Sequence, residues 1–466
     1  MPALNVKNRT LFIRDNVDIL DNLNSECADL IYLDPPFNSN RDYAAPAESQ
    51  AAGAFFKDAW TLDDIDLAWS GQIAERHPAL AAVISAAGMA GGKGDKAYLI
   101  FMARRLLEMH RILKSTGGVY LHCDPTMSHS LKLLMDAVFG KKNFRNEIVW
   151  KKTNSPKTQS AAFGNQHDVI LSYSKSAKFT FNGACVQYSE KQKKVFSRND
   201  NDGMGFYQTI SLVAGGMQKS PRRKTFEFQG KTAAWLYKKE TLQKFWDEGR
   251  IYKTPSGYRL KDYLKDRDGA AVSDIWTDGG VKPIQGKASE NTQYPTQKPL
   301  ALLERIIKAS SNEGDVVLDP FCGCATTLVA AETLNRQWVG VDISNKAADL
   351  INARLQDAQD MLSAKGAWKK IITRENFPAR TDNGAIMVNK KEHAHILYGM
   401  QEGNCAGCRC HFPFRNLTLD HQEPKSKGGQ DTKTNLQLLC GACNSVKGDR
   451  PMAYLLAWLR KQGIIS

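Results

Sequence analysis

Apolar and polar residues follow each other along the N-terminal half in the order that an α/β protein requires. Residues 28–33 (ADLIYL) form a short apolar run typical of a buried strand, and residues 97–114 carry apolar residues at helical spacing. Alternating strands and helices indicate a parallel sheet with helices on both faces. The further elements predicted in this half are a strand and a helix over 9–20, strands over 119–124, 147–150 and 167–175, and a helix over 127–138.

The alternation is interrupted twice along the chain. Residues 44–95 are rich in alanine and glycine, which indicates an inserted loop region, and residues 176–290 are basic, rich in aromatic residues and without regular periodicity. A linker is predicted over 370–390, before a Cys/His-rich module over 391–466. Between the second interruption and the linker, helices are predicted over 299–311, 326–335 and 345–361, and strands over 315–319 and 337–343.

The length of the chain indicates its number of domains, and its charge indicates its class of partner. A chain of 466 residues is expected to form two or three domains, and its apolar runs stay well short of the roughly 20 residues that a membrane span needs. Because the N-terminus lacks the apolar stretch of a signal peptide, we expect a cytoplasmic protein with no membrane partner. Residues 151–270 hold 23 basic and 11 acidic residues, nearly the whole excess behind the net charge of +14. This block favours nucleic acid as partner over a merely solvated basic surface.

One turn has the character of a nucleotide-type pocket. In DVVLDPFCGCATTLVAAE a predicted strand ends at Asp319, a tight turn opens a helix, and the next strand ends at Asp342, 19 residues after Gly323. Small residues let the backbone approach a ligand, and the second acid can accept from ribose hydroxyls. Cys324 and Ala325 stand where a second glycine is expected, so a dinucleotide fingerprint is not met. A tight turn that binds no ligand is the alternative.

A second turn, Asp34-Pro35-Pro36-Phe37, follows the buried strand over 28–33. A carboxylate and a backbone carbonyl can accept the two N–H bonds of an amine, and the prolines keep the backbone rigid. Phe37 offers a face on which an extruded base can stack. The alternative is a rigid turn with a capping aspartate, but two such turns in one sheet make chance a poor explanation.

Together these motifs resemble the beta-ordered class of DNA amino-methyltransferases, in which the catalytic motif precedes the motif that binds the methyl donor. The resemblance covers roughly residues 1–360. It implies a Rossmann-like, S-adenosylmethionine-dependent methyltransferase domain over 1–369, with 176–290 as an inserted target-recognition region that binds double-stranded DNA. Supporting stretches are YLHCDPT at 120–126, FRNEIVWKKTN at 144–154, HDVILSYSK at 167–175, SDIWTD at 273–278 and YPTQKP at 294–299.

The resemblance also implies roles for individual residues. The target base would be held by Asp34, Pro35, Pro36 and Phe37. The residues that would bind S-adenosylmethionine or border its pocket are Asp319, Phe321, Gly323, Asp342, Lys298 and Pro299. DPPF resembles adenine-N6 enzymes more than cytosine-N4 enzymes, which tend to carry serine in place of the aspartate, and the N4 alternative stays open. A C5-cytosine mechanism is disfavoured because it needs a nucleophilic cysteine, usually after proline, and the chain has no Pro-Cys dipeptide.

The C-terminal module carries two C-x-x-C pairs, Cys405 with Cys408 and Cys440 with Cys443. Four thiolates suit tetrahedral Zn²⁺, and a small module gains folding energy from the metal. Without an export signal, this spacing favours metal over disulfides. Cys410 is left over, and a buried thiol would account for it.

The stretch LTLDHQEPKSKGGQDTKTNLQLLC between these pairs resembles the HNH nuclease family, which has a ββα-metal fold. The resemblance implies that Asp420 binds Mg²⁺ or another divalent metal, His421 acts as general base, and Asn435 fixes the loop and orients His421. Asn444 stands at the family's last histidine and can still offer an amide oxygen to the metal. A zinc-stapled DNA-binding module that does not cut is the alternative.

The sequence therefore predicts a site-specific adenine-N6 DNA methyltransferase with a C-terminal HNH domain that cuts or binds DNA. One rival is an HNH endonuclease that uses the methyltransferase half for recognition, and another is an RNA methyltransferase. The oligomeric state is left open, with a dimer as one alternative.

Overall fold

The computed structural model falls into two compact units, Gly183–Ser273 and the remainder of the chain. Each is described by itself, with strands numbered in chain order. The structure describes residues 3–465 except for 40, 47, 50, 53–54, 59–60, 62–72, 154–162, 215–224, 256, 285–287, 289, 345–347, 356–370, 383–389, 402, 430 and 432–434.

The larger unit is built on a nine-stranded sheet in the order β15-β6-β7-β5-β2-β16-β17-β1-β18. The buried run over 28–33 forms β2 near its centre, which explains why this strand is apolar on both faces. The nine strands are β1 (Thr10–Ile13), β2 (Ala28–Leu33), β5 (Leu113–Cys123), β6 (Phe144–Lys151), β7 (His167–Ser174), β15 (Ile275–Trp276), β16 (Val316–Asp319), β17 (Gln337–Asp342) and β18 (Ile372–Arg374).

The predicted α/β class is confirmed, but the prediction of a parallel sheet is wrong for β7. This strand runs antiparallel to both β5 and β6, whereas β2, β5, β16, β17, β1 and β18 pair in parallel. Antiparallel neighbours need no crossover helix, so the strand–helix alternation used for the prediction does not apply at this edge.

Helices pack on the sheet and bury its apolar side chains. They place Leu106 and Met109 against β2 residues such as Ile31 in one buried cluster. The α-helices of this part are Asn16–Asn22, Pro78–Gly91, Lys93–Ile112, Ser128–Met135, Leu300–Ser310 and Thr326–Thr333, together with residues 348–355.

The expectation of a loop over 44–95 is wrong for much of its length. Strands β3 (Arg41–Ala44) and β4 (Phe55–Asp58) form a hairpin, and Pro78–Gly91 is a helix that buries Leu80 and Ile84. Alanine favours a helix, and the proline at the first turn starts it without losing a hydrogen bond. The part of the expected loop over 62–72 lies outside the described residues.

The predicted linker over 370–390 contains a strand of the main sheet. β18 pairs in parallel with β1 through Thr10 and Ile372. Beyond it, the side chain of Asp382 accepts a hydrogen bond from the Ser25 backbone N–H at 2.6 Å. The chain therefore remains part of the larger unit's sheet region as far as residue 382.

The smaller unit, Gly183–Ser273, lies inside the predicted insertion over 176–290 and is shorter at both ends. Its core contains Trp235 and Leu242, and Phe245 packs against them. The basic run 222–224 lies outside the described residues. The elements are β8 (Cys185–Val186), Glu190–Lys193, β9 (Tyr207–Ser211), β10 (Thr225–Phe228), β11 (Lys231–Ala234), Lys239–Asp247, β12 (Ile251–Thr254), β13 (Gly257–Tyr263) and β14 (Ala270–Ala271).

The C-terminal module is a strand hairpin with three helices. β19 (Leu417–His421) pairs antiparallel with β20 (Leu436–Cys440). A small hydrophobic core contains Cys405, Cys440 and Cys443, and Cys408 packs against it. Its helices are Lys390–Met400, Gly441–Lys447 and Met452–Lys461. Across the described part of the whole chain, no helix is both long and apolar enough to cross a membrane.

Candidate active sites

A cavity of about 740 Å³ opens where β2, β16 and β17 end side by side. It brings the two sequence-predicted turns together, because β2 and β16 are hydrogen-bonded neighbours through Ile31 and Leu318. Pro299 does not line the cavity and instead precedes the helix Leu300–Ser310 as its N-cap. The predicted residues that line the cavity are Asp34, Pro35, Pro36, Phe37, Lys298, Asp319, Phe321, Gly323 and Asp342.

Asp34 forms an ion pair that the sequence did not predict. Its Oδ2 accepts a hydrogen bond from Lys298 Nζ at 2.5 Å, and the same ammonium donates to the Thr296 carbonyl at 3.1 Å. Asp34 Oδ1 is buried and has no hydrogen-bond partner within the described part of the chain. One oxygen of this cavity-lining carboxylate therefore lacks a partner among the described residues.

Phe37 rests against a buried histidine. Its ring stacks on that of His122 with centroids 6.0 Å apart and planes 18° apart. The following turn is held by the carboxylate of Asp58, which accepts from the backbone N–H groups of Asn38 at 2.7 Å and Ser39 at 3.1 Å. These contacts fix the ring beside Asp34.

A chain of buried polar groups continues behind Phe37. The Tyr32 hydroxyl lies 3.0 Å from His122 Nδ1, His122 Nε2 lies 3.2 Å from Asp168, and Lys152 donates to Asp168 at 2.7 Å. Burial, with the nearby charge of Lys298, lowers the pKa of His122, so the ring is neutral near pH 7. Neutral His122 then accepts from Tyr32 and donates to Asp168. Its only signal in the sequence is its place in YLHCDPT.

Asp319 lies on the donor side of the cavity and is buried. Its Oδ1 accepts from the Phe321 backbone N–H at 3.0 Å. Burial raises the pKa of this carboxyl to about 7, with smaller contributions from the negative charges of Asp34 and Asp342. A cation that entered the cavity would favour its ionised form.

Asp342 shapes the turn around Gly323. One oxygen accepts from the Gly323 N–H at 2.7 Å, and the other accepts from the Ser344 N–H at 2.8 Å. Gly323 has a φ of +49°, and a Cβ there would lie 3.1 Å from the Tyr294 ring. Both the backbone conformation and the close ring explain the glycine.

One wall of the cavity was not predicted as functional. Arg105 donates to the Asn16 side chain at 2.6 Å, and Asn16 donates to the Pro320 carbonyl at 2.7 Å. Arg105 also pairs with Asp15 at 2.9 Å. This network contacts Pro320 at the start of the donor turn. Its members lie too far apart in the sequence for a local pattern to predict their contacts.

The four predicted thiols of the C-terminal module converge. Their sulfur atoms all lie within 4.8 Å of one another, with Cys408 Sγ 3.9 Å from Cys440 Sγ. A tetrahedral zinc with bonds of about 2.3 Å separates its sulfurs by about 3.8 Å. The cluster thus fits Zn²⁺. Cys410 is exposed rather than buried, so the expectation of a buried thiol is wrong.

His421 ends β19 and is held by a carboxylate that the sequence did not single out. Its Nε2 lies 2.6 Å from Asp431, whose other oxygen accepts from Lys425 at 2.7 Å. Asn435 contacts Glu423, accepting from its N–H at 2.7 Å and donating to its carbonyl at 3.0 Å. Asn435 is therefore bonded within the loop that follows β19, and Asp431 contacts the imidazole.

Asp420 already has two partners. Gln437 Nε2 donates to its Oδ2 at 3.0 Å, and the buried Lys447 ammonium lies 3.0 Å from the same oxygen. Asn444 lies in the helix Gly441–Lys447, one turn before Lys447. Asp420 and Asn444 could therefore supply only a few of the oxygen ligands of a divalent metal. An ion such as Mg²⁺ can complete its coordination with water and a phosphate oxygen.

Two known protein families match separate parts of the chain. Residues 28–353 match the family described as DNA methylase, and residues 405–450 match the family described as HNH endonuclease.

Several curated proteins resemble the N-terminal part. The Type II methyltransferase M.EcaI of Enterobacter cloacae is 31% identical over 324 residues, which cover 65% of this chain and 70% of that protein. The Type III restriction-modification enzyme StyLTI Mod subunit of Salmonella typhimurium is 27% identical, with 72% of this chain and 51% of that one covered. The DNA adenine methyltransferase YhdJ of Escherichia coli is 24% identical, with shares of 72% and 79%.

Proposed function

Because the chain belongs to the DNA methylase family, we propose that it transfers a methyl group from S-adenosylmethionine to the N6 amine of adenine in duplex DNA. The observation that carries the proposal is the single cavity shared by Asp34 and Asp319, whose strands β2 and β16 are hydrogen-bonded neighbours. A methyl donor bound at one turn would then lie beside an amine bound at the other.

On the acceptor side, one oxygen lacks a partner among the residues that the structure describes. Asp34 Oδ1 can accept one N–H of the amine, and the Pro35 carbonyl can accept the second. Both bonds draw the nitrogen lone pair out of conjugation with the ring, so the pair can attack. Phe37, backed on one side by His122, leaves its opposite face for the extruded base.

On the donor side, S-adenosylmethionine supplies a methyl group on a positively charged sulfur. The buried carboxyl of Asp319 would face that positive charge, and Asp342 with Gly323 would form the wall for the sugar. A volume of about 740 Å³ lies within the range of cavities that hold ligands of this size. The turn therefore fits the donor without any second glycine.

Adenine is favoured over cytosine by the aspartate of DPPF, and one relative is named a DNA adenine methyltransferase. The test is methyl transfer from labelled S-adenosylmethionine to duplex DNA, followed by digestion to nucleosides. We expect the label in N6-methyladenine, and Asp34→Ala should abolish it. Glu313→Ala removes an exposed carboxylate outside the cavity and should leave the rate unchanged.

Label recovered as N4-methylcytosine would contradict the adenine assignment, and label transferred to RNA but not DNA would contradict the choice of substrate. Transfer to neither would contradict the proposal as a whole.

For the C-terminal module we propose DNA cleavage. His421, oriented by Asp431, would remove a proton from water that attacks a phosphodiester. A divalent metal held by Asp420 and Asn444 would supply charge for the leaving oxygen. We expect nicking or cutting of DNA that requires the metal, is lost in His421→Ala and is greatly reduced in Asp431→Asn, while methylation persists.

Cleavage that is absent on both methylated and unmethylated DNA would instead favour a zinc-stapled binding module. Methylation that is absent while cleavage remains would favour the rival in which the methyltransferase half serves recognition.

A further inference from the structure

The ammonium of Lys298 contacts the catalytic turn. Its Nζ donates to Asp34 at 2.5 Å and to the Thr296 carbonyl at 3.1 Å, and it lies 5.3 Å from the centre of the Phe37 ring. The lysine side chain is 7% exposed and that of Asp34 is 17% exposed. The pair is therefore shielded from water, where such a contact is much stronger than at the surface.

The two oxygens of Asp34 differ as a result. Lys298 holds Oδ2, whereas Oδ1 is buried and has no hydrogen-bond partner among the described residues. A carboxylate held at one oxygen cannot rotate freely, so the other oxygen keeps a fixed direction. We infer that Lys298 is a positioning residue of the acceptor site, which fixes the Asp34 carboxylate at Oδ2 and so directs its Oδ1 to the amine of the target base.

This inference rests on the proposed amine methylation and deepens it. A role in binding the donor is the competing interpretation, since Lys298 also lines the shared cavity. The charge of S-adenosylmethionine at its reactive sulfur is positive, however, and a second cation nearby would repel it. All three contacts of the ammonium given above lie on the acceptor turn or on the lysine's own loop.

The contact with Lys298 is what fixes the direction of the Asp34 carboxylate. Lys298 is the cation with which Asp34 pairs in the described part of the chain. Without the ammonium, Oδ2 would lose that hydrogen bond and the carboxylate could rotate. The other titratable groups that interact electrostatically with Asp34 are Tyr32 on β2, Tyr98, His122 and Cys123 on β5, Tyr294, and Asp319 on β16.

The experiment compares two variants of the full-length chain. Lys298→Met keeps the apolar stem and removes the charge, whereas Lys298→Arg keeps a charge. We expect kcat for DNA methylation to fall about 10- to 100-fold in Lys298→Met, as for loss of a hydrogen bond to a charged group. The KM for DNA should change much less than kcat, and Lys298→Arg should recover part of the lost kcat.

Binding of S-adenosylmethionine, measured by titration calorimetry, separates the two interpretations. We expect its dissociation constant to change less than threefold in Lys298→Met. Lys308→Met, which removes an exposed lysine of the helix Leu300–Ser310, is the matched control and should change neither measurement.

A weaker donor affinity that accounts for the loss of rate would overturn the inference in favour of a donor-binding role. An unchanged kcat in Lys298→Met would also overturn it. If the unaltered protein transfers no methyl group to DNA, the proposed function itself fails, which this comparison detects separately.

Discussion

At the scale of single residues, three of the carboxylates that line the cavity have different environments. Asp34 is paired with an ammonium, Asp342 accepts from two backbone N–H groups, and Asp319 is buried with a pKa raised to about 7. Because that pKa lies near physiological pH, binding of a positively charged ligand should depend on the protonation of Asp319.

We expect S-adenosylmethionine binding to release a proton from Asp319. At pH 6 the free carboxyl is mostly protonated, because its pKa of about 7 lies above that pH. The positive donor favours the carboxylate, so binding should release close to one proton at pH 6 and almost none above pH 8, and affinity should rise up to about tenfold between them. Calorimetry in buffers of different ionisation enthalpy measures the released proton.

In Asp319→Asn the proton release should vanish and the affinity should no longer vary over this pH range. Glu313→Gln, an exposed carboxylate outside the cavity, should behave as the unaltered protein. Proton uptake on binding at pH 6 would contradict the prediction.

The sequence revealed the residues that belong to short turns and missed those that depend on pairing across the fold. Asp34 directly follows a buried strand and Asp319 ends one, so their motifs are local. His122 and Asp168 are 46 positions apart and meet only because β5 and β7 pair antiparallel. Asp431 lies 10 positions after His421, in a loop whose path no periodicity specifies.

At the scale of elements, the donor turn depends on a glycine in the left-handed region. Gly323 combines a φ of +49° with a ring, that of Tyr294, close to where a Cβ would lie. The turn therefore cannot accept a side chain without moving either its backbone or that ring.

We expect Gly323→Ala to weaken S-adenosylmethionine binding about tenfold or more, because strain and the clash both displace the turn. Gly314→Ala is the matched control, since Gly314 also has a positive φ but no atoms near the position of its Cβ. It should lower thermal stability through strain and leave donor affinity unchanged. Equal donor affinity in both variants would contradict this account of the turn.

The zinc cluster joins a loop to the strand–helix junction of the C-terminal module, through Cys405 and Cys408 on one side and Cys440 and Cys443 on the other. Cys443→Ser should reduce bound zinc from about one per chain to nearly none and increase protease cleavage within residues 391–466. Cys185→Ser removes an exposed cysteine outside the cluster and should retain the metal. Elemental analysis with peptide mapping measures both effects.

The elements that were predicted wrongly share a cause. Periodicity describes which residues are buried, so it found β2 and the helix Lys93–Ile112 but did not give the direction of β7. The sequence does not predict the helix Pro78–Gly91, because its alanines and glycines differ little in hydrophobicity between the two faces.

At the scale of the whole molecule, positive charge is concentrated in the smaller unit. Gly183–Ser273 contains 18 basic and 10 acidic residues, more than half of the net charge of the chain. Much of this charge is exposed, including Lys191 and Lys194. We therefore expect DNA affinity to depend on salt through this unit.

Replacing both Lys191 and Lys194 by glutamine should lower the slope of log affinity against log salt by about one to two, with little change in the methylated sequence. Binding to a labelled duplex over a series of salt concentrations measures the slope. Lys308→Gln in the larger unit is the control. An altered recognition sequence with an unchanged slope would mean that these lysines contact bases rather than phosphates.

The edge strand β18 has a consequence for any attempt to divide this protein. Its backbone covers one side of β1, and Arg380, Thr381 and Asp382 then hold the loop at Asn24 and Ser25. A protein shortened at residue 369 would leave the N–H and C=O groups of β1 open to strands of other molecules, and we expect it to aggregate. Shortening after residue 382 retains that cover, so the methyltransferase part should be divided from the HNH part there.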